Sequence, residues 1–285
     1  MILRIARFTL RELVSRRVVV VALVLSVAFV GLYALAAQFM YGHAAAAPSP
    51  RSPTAPAVTE VFANLLAIFG LYALYFLASL LAVIVGVGSV SGEVESGTLH
   101  AVLARPMARS SFLLGRWLAL AAALVIYVVS IATALLTVAR VISGYEAPNA
   151  LAAIALLCLE VVLVLSVAMA GSTRLSTAAN GVVVIGLFGL AWLAGLIEWI
   201  GTAIGNESMQ AIGVAVSLVM PSEALWRGAS YFLQTPLIFA ATNAAGGRVP
   251  FAGLSPPSLP FVLWAIAYAA GLLGVAIGVF RRRDL

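Results

Sequence analysis

The chain has no lysine, a single cysteine and few charged residues of any kind. A phosphate-binding loop of the form G-x-x-x-x-G-K-[ST] requires a lysine, so the sequence excludes that mode of nucleotide binding. Schiff-base chemistry is excluded for the same reason. Cys158 alone permits no internal disulfide, and His43 and His100 fall in different predicted loops. The sequence therefore indicates neither a disulfide framework nor a metal cluster.

Aspartate is almost as scarce, because the only one is Asp284 near the end of the chain. No Ser/His/Asp set is plausible, and no pair of carboxylates falls inside an apolar run. The residues that intramembrane hydrolysis and proton-coupled transport require are therefore missing. The net charge of +6 comes from arginines that border apolar runs. Nucleic-acid binding needs basic residues interleaved with aromatic ones, so we expect no nucleic-acid partner.

Apolar residues dominate what is present: 64% of the chain is hydrophobic and only 9% is charged, where a soluble domain carries about a quarter. So much apolar surface has to face lipid, which predicts one all-α polytopic transmembrane domain over residues 1–285. Runs of about 20 residues span the bilayer core, about 30 Å thick. Six predicted spans follow: 18–40, 61–90, 117–139, 151–173, 181–197 and 259–280.

The remaining segments connect or flank these spans. Residues 41–60 contain four prolines and are predicted to form an extended connector. Residues 198–258 are predicted to be an extracytoplasmic loop with short re-entrant or interfacial helices at 208–220 and 229–245. The alternative for this segment is two further spans, which would make eight.

Residues 1–17 have a helical amphipathic period. Arg4, Arg7 and Arg11 share one face, and the opposite face is apolar. This pattern predicts an interfacial helix lying in the membrane plane. A cleaved signal peptide is the alternative, but the following run, 18–40, is longer than a signal peptide requires.

Arginine positions predict the orientation of the spans. With six spans and a cytoplasmic N-terminus, twelve of the sixteen arginines fall on the cytoplasmic side. Loops that face the cytoplasm are enriched in arginine, so both termini are predicted to be cytoplasmic.

Residues 91–116 form a polar loop between two runs without charge. Leu99, Val102 and Leu103 make one apolar face of a short helix, which Pro106 ends. These residues alone leave two interpretations open. The short helix docks on a soluble partner, or it lies on the lipid surface as an ordinary amphipathic helix.

The same loop resembles the intracellular coupling loop of type-2 ATP-binding-cassette (ABC) exporter permeases. The resemblance rests on Glu93-x-Glu95-x-Gly97-Thr98-Leu99, then Leu103, Pro106, Arg109 and Leu114-Gly115-Arg116, where Arg116 replaces the usual lysine. The segment Pro221-Ser-Glu223-Ala-Leu-Trp-Arg227 and the terminal Phe280-Arg-Arg-Arg-Asp-Leu are similar to further elements of that family. The family begins with an elbow helix, which residues 1–17 resemble.

The resemblance implies a type-2 exporter permease subunit in the cytoplasmic membrane of a prokaryote. It implies a second permease copy or homologue and two separate ABC ATPase subunits, which would hold the ATP and magnesium. This chain would then carry no cofactor and would not itself be an enzyme. The expected ATPase-coupling residues are Glu93, Glu95, Gly97, Thr98, Leu99, Pro106, Arg109 and Arg116, with the 174–180 turn and the N-terminal segment as further docking points.

Two other functions stay open from the residues. The chain could be a non-transporting assembly or regulatory subunit that anchors an ATPase, or it could be a secondary transporter. The sequence does not name a substrate, although spans with few polar atoms favour a hydrophobic or amphipathic cargo.

Glu160 is the one ionisable residue inside a predicted span. A carboxylate at mid-bilayer costs about 2.5–3.5 kcal/mol, so it should face the helix bundle or a cavity. It either contributes to the transport pathway or serves packing alone, kept protonated or hydrogen-bonded to a hydroxyl such as Ser130 or Ser166. Pro221, Glu223 and Arg227 are the candidate residues of the extracytoplasmic segment.

Overall fold

The computed structural model describes residues 2–15, 17–46, 55–92, 109–244 and 252–282. Within these ranges the regular structure consists of ten α-helices and no β-strand. The helices are α1 Ile2–Ser15, α2 Arg17–Ala46, α3 Ala55–Val87, α4 Arg109–Ser143, α5 Ala150–Ser172, α6 Thr177–Ile204, α7 Glu207–Val219, α8 Ser222–Tyr231, α9 Pro236–Ala244 and α10 Leu259–Arg282. In this part of the chain six helices, α2 to α6 and α10, are long and apolar enough to cross a membrane. The predicted all-α fold with six membrane-crossing helices is confirmed.

Several helices run beyond the predicted spans. Residues 41–60 are helical up to Ala46 and again from Ala55, so the predicted extended connector is wrong for both flanks. Pro56 is the second residue of α3. Its missing N–H costs nothing there, because the first turn of a helix has no intrahelical acceptor for it. At the other end, α6 continues to Ile204, seven residues past the predicted end.

Helix α5 lies at the centre of the bundle. It packs against α3, α4, α8 and α10, and its side chains are buried on every face. Leu163, Val164 and Leu165 are consecutive and all have no exposed surface. A helix that is apolar all round needs neighbours on every side, which explains its position. By contrast α2 packs mainly on α4, and most of its large apolar side chains are exposed for contact with lipid.

Helix α1 lies across the first turns of α4. Ala6 is buried, whereas Arg4, Arg7 and Arg11 are exposed, as the amphipathic period predicts. The two helices approach so closely that a Cβ atom at Gly115 would lie 2.9 Å from the Ile2 carbonyl oxygen. Glycine is therefore required at this crossing.

The segment 198–258 folds back into the bundle. Gly205 adopts a left-handed conformation, with φ 71°, which ends α6 and lets α7 turn back against it. Helix α8 then bends away from α7 by 107° and packs on α5, α6 and α3. The predicted helix at 208–220 matches α7, but the predicted 229–245 is wrong, because two helices, α8 and α9, cover 222–244. Pro221 precedes the first turn of α8 and Pro236 begins α9, so the two prolines set these starts.

The two ends of the bundle differ in charge. We call the arginine-rich end the one that carries α1, the first turns of α4, the α5–α6 turn and the last turn of α10. Contacts between Phe112 and Phe280, with ring centroids 6.2 Å apart, and between Ser91 and Thr177 place these parts together. Among the described arginines, eight lie on these elements and Arg17 begins α2 directly after α1, whereas only Arg140 and Arg227 belong to the opposite half.

Substituting leucine for Gly115 should displace α1 from α4, because the new side chain has no space beside Ile2 and Ile5. Overpacking of this kind costs about 1–3 kcal/mol. Thermal unfolding of the purified chain in detergent should show a lower Tm. Gly31→Leu is the matched control, since a Cβ atom at Gly31 meets nothing within 4 Å. An equal loss of stability in both variants would contradict the proposed crossing.

Candidate functional site

A buried polar cluster joins α3, α5 and α8 in the middle of the bundle. Glu160 of α5 is 1% exposed, and its Oε1 accepts a hydrogen bond from the Ser79 hydroxyl of α3 at 2.8 Å. Its second oxygen, Oε2, is buried without a hydrogen-bond partner. The Glu160 side chain therefore faces the helix interface and not lipid, as the cost of a carboxylate in the bilayer requires.

Tyr75 connects this carboxylate to α8. It has no exposed surface, and it interacts electrostatically with both Glu160 and Glu223. Tyr75 lies close enough to Ser222 and Glu223 for hydrogen-bond interactions with both, yet the buried Tyr75 hydroxyl, Ser222 Oγ and Glu223 Oε2 do not meet strict hydrogen-bond geometry. Buried polar groups are almost always paired in native proteins, since an unpaired one costs about 1–3 kcal/mol. This concentration of imperfectly paired groups distinguishes the cluster from ordinary packing.

Aromatic rings enclose the cluster. The ring centroids of Tyr72, Phe76, Phe188 and Trp226 lie between 5.1 and 5.9 Å from that of Tyr75. Trp192 donates a hydrogen bond to the Tyr72 hydroxyl at 2.6 Å. These contacts fill the space around Tyr75, so in this conformation the Glu160 carboxylate is held inside a packed interior.

Glu223 extends from this cluster to an open cleft of about 470 Å³ between α6, α7, α8 and the loop before α10. Arg227, one turn further along α8, makes a forked ion pair with Glu198 of α6, with N–O distances of 2.6 and 2.7 Å. Paired parallel hydrogen bonds of this type are among the strongest that side chains form. The Glu223 carboxyl also lies within electrostatic range of the Arg227 guanidinium.

Two glycines make room for these carboxylates. A Cβ atom at Gly195 of α6 would lie 2.4 Å from Cγ of Glu223, and one at Gly213 of α7 would lie 2.3 Å from Cβ of Glu198. Both distances are shorter than any real contact of that kind. The charged side chains therefore lie directly on helix backbone, which glycine alone permits.

The structure brings together two sets of residues that the sequence treats separately. Glu160 belongs to a span and Pro221, Glu223 and Arg227 to a predicted loop, yet α8 carries Glu223 to within electrostatic range of Glu160. The predicted hydroxyl partners of Glu160 are wrong. Ser130 is exposed, and Ser166 donates to the Val162 carbonyl and accepts from Trp117.

Four residues of the site are not among those predicted from the sequence: Tyr75, Ser79, Glu198 and Ser222. Glu198 could have been recognised, because it is an acidic residue at the border of an apolar run. The other three cannot be told apart in sequence from the chain's many other tyrosines and serines. Over the described ranges, no three His, Cys, Asp or Glu side chains lie close enough together to hold a metal ion.

A second polar group, which we call the joint, lies at the arginine-rich end. It consists of Ser89, Ser91, Ser172, Thr177 and Asn180. Ser89 hydrogen-bonds Ser172 at 3.1 Å, and Ser91 hydrogen-bonds Thr177 at 2.8 Å. The fully buried Asn180 amide donates to the carbonyls of Ala168 at 2.8 Å and Val87 at 3.3 Å. The joint thus ties the end of α3 to the α5–α6 turn.

The predicted coupling loop, 91–116, begins at Ser91 of the joint. Glu93, Glu95, Gly97, Thr98, Leu99 and Pro106 lie outside the described residues, so their roles stay predictions. Arg109 is the first residue of α4. Arg116 is 5% exposed, with its guanidinium 5.9 Å from the Phe112 ring centroid, so it belongs to the packed helix and not to a loop that extends to residue 116. The helix begins early because Phe112 and Leu113 are buried.

A helical bundle with six membrane-crossing helices and a buried polar interior defines a multi-pass membrane protein. A family model described as ABC-2 family transporter protein matches residues 3–285, and the chain belongs to that family. It is therefore a membrane permease of an ABC transporter. No curated protein matches the chain.

The forked pair between Arg227 and Glu198 predicts a measurable coupling energy. Both side chains are about one-fifth exposed, which screens part of the interaction, so a double-mutant cycle with Arg227→Gln and Glu198→Gln should give about 1–2 kcal/mol. Thermal unfolding of the four proteins measures it. The control cycle uses Arg140 and Glu146, a pair more than two-thirds exposed, and should give no more than about 0.5 kcal/mol. Equal coupling in both cycles would contradict a structural role for the fork.

Proposed function

We propose that the chain is the membrane subunit of an ATP-driven exporter. Two permease copies, or this chain and a homologue, would form the pathway, and two ABC ATPase subunits would bind at the arginine-rich end. The site of action would be the cytoplasmic membrane of a prokaryote, with both termini in the cytoplasm. The distribution of arginines between the two ends supports this orientation, because cytoplasmic ends are enriched in arginine.

One observation carries the proposal: the joint lies where the coupling loop leaves α3. Ser91, the first residue of that loop, is hydrogen-bonded to Thr177 at the start of α6. An ATPase that moves residues 91–116 would therefore move α3 and the α5–α6 turn together. Both elements reach the Glu160 cluster, α3 through Ser79 and α5 through Glu160 itself.

Helix α3 is long enough to transmit such a movement. It is continuous from Ala55 to Val87, and about 12 residues, or about 18 Å of helix, separate Val87 from Tyr75. A tilt of α3 would shift Tyr75 against Ser222 and Glu223 of α8. Because α8 also holds the Arg227–Glu198 pair, the movement would reach the cleft at the opposite half of the bundle.

The Glu160 cluster would act as a gate that closes the transport pathway in this conformation. Glu160 is enclosed by packed side chains and does not line a cleft with Glu223 in this conformation. Glu160 Oε2 would gain a partner, and the imperfect contacts of Tyr75 with Ser222 and Glu223 would change, when α3 and α8 rearrange. The cargo we propose is hydrophobic or amphipathic, since the spans offer few exposed polar atoms.

Reconstitution tests the proposal directly. The chain is copurified with an ABC ATPase, sought first in the neighbouring reading frames, placed in liposomes, and assayed for ATP hydrolysis and for ATP-dependent movement of fluorescent amphipathic dyes. Glu93→Ala should reduce hydrolysis to the rate of the isolated ATPase without lowering Tm, because the variant removes an interface charge only. Glu207→Ala, at the exposed start of α7, is the control and should leave hydrolysis unchanged.

If Glu93→Ala still stimulates ATP hydrolysis by the ATPase, the assignment of 91–116 as the coupling loop is wrong. A stable complex that hydrolyses ATP and moves none of the dyes would favour the assembly or regulatory subunit. Dye movement without any ATPase would favour a secondary transporter.

Asn180→Ala should uncouple the complex. It removes the buried hydrogen bonds to Ala168 and Val87 and should cost about 1–2 kcal/mol of stability. Asn64→Ala is the matched control, because the Asn64 amide is equally buried and donates to the Leu233 carbonyl at 2.7 Å. We expect a similar drop in Tm for both variants, but a loss of ATP-dependent transport only for Asn180→Ala. If transport falls equally in both, the joint has no special role in coupling.

A further inference from the structure

A groove of about 470 Å³ opens at the arginine-rich end between the α5–α6 turn and the last turns of α10. Six of the described residues line it: Thr173, Arg174, Val275, Gly278, Val279 and Arg282. Two of these six are arginines and none of the six is acidic, so this described lining is positively charged. It lies outside the Glu160 cluster and the Glu223 cleft.

The two arginines are held on different elements. The backbone N–H groups of Arg174 and Leu175 both donate to the Gly171 carbonyl, at 3.1 and 2.9 Å, which fixes the turn. Arg282 is the last residue of α10. Both side chains are exposed. A guanidinium presents its donors in a planar fork that matches phosphate oxygens, and two such forks around one groove suit a single phosphate.

The opposite wall of the groove is apolar. Val275 is 60% exposed, and a Cβ atom at Gly278 would meet nothing within 4 Å, so this face of α10 leaves open space beside an apolar surface. Both helices cross the membrane and end here, at Ser172 and Arg282, so the groove lies at the depth of lipid headgroups. A free phosphate ion would use the arginines alone, whereas a phospholipid would use both walls.

We propose that this groove binds an anionic phospholipid, with the headgroup phosphate on Arg174 and Arg282 and an acyl chain along Val275 and Val279. Basic grooves between membrane helices on the cytoplasmic side suit such headgroups. The lipid would bridge the α5–α6 turn and the end of α10. The site depends only on membrane insertion and would exist whether or not the chain drives export.

Native mass spectrometry of the detergent-purified full chain tests the site. The probes are phosphatidylglycerol, phosphatidylcholine and inorganic phosphate. We expect one saturable phosphatidylglycerol site that phosphatidylcholine does not fill and that millimolar phosphate does not block. Each arginine should contribute about fivefold in affinity, so the Arg174→Gln/Arg282→Gln double variant should bind more than tenfold more weakly.

Two matched pairs of variants distinguish binding in the groove from attraction by general surface charge. Arg282→Gln should weaken binding and Arg281→Gln should not, because Arg281 is exposed but does not line the groove. Gly278→Leu should block binding with all charges kept, whereas Gly186→Leu, at another open glycine, should not.

Equal effects within either pair would overturn the proposal, as would equal binding of the two lipids. Displacement of the lipid by phosphate would identify a free anion as the ligand instead. If the double variant loses the copurifying ATPase while lipid binding is unchanged, the arginines belong to a protein interface and the lipid site is wrong.

Discussion

The structure depends on hydrogen bonds that α3 makes with the rest of the bundle. No water is present in the hydrocarbon core to satisfy polar side chains, so hydrogen bonds between elements of the bundle stabilise them. Helix α3 and the turn that follows it have such contacts at three depths: Asn64 with the Leu233 carbonyl, Ser79 with Glu160, and Ser89 with Ser172. These contacts fix its position along its whole length. The central helix α5 and the inserted helix α8 are placed against it.

Close packing on glycine accompanies three of the buried polar side chains. Asn180 lies on Gly171, Glu223 on Gly195 and Glu198 on Gly213, each with no space for a Cβ atom. A glycine lets the polar group reach a neighbouring backbone or ion partner without a longer and more mobile side chain. The same substitution can therefore be harmless at an open glycine such as Gly31 and damaging at one of these three.

The membrane-crossing helices could be predicted from sequence because each follows from a local property. A long apolar run predicts a span, an amphipathic period predicts α1, and a lone carboxylate in a span marks Glu160. The insertion of α8 could not be predicted in this way. Its Glu223 and Arg227 indicate a loop in water, and only the pairing of Arg227 with Glu198 and the glycine at 195 permit burial.

The partner of Glu160 was beyond local reasoning as well. Ser79 is 81 residues away and no different in sequence from Ser130 or Ser166, so only helix packing selects it. The early start of α4 could not be predicted for a related reason. Arg109 and Arg116 are typical of a loop in water, but Phe112 and Leu113 between them pack into the core. The glutamates of the coupling loop rest on the family resemblance alone.

The central position of α5 has a consequence for biogenesis. One of its faces is covered by α10, whose Phe280 is fully buried against the bundle. Membrane insertion proceeds from the N-terminus, so this face stays uncovered until the final span leaves the ribosome. A chain interrupted before residue 259 would present that apolar and partly polar surface to lipid or to quality-control proteases. The last helix to be synthesised therefore determines when the whole bundle becomes resistant to degradation.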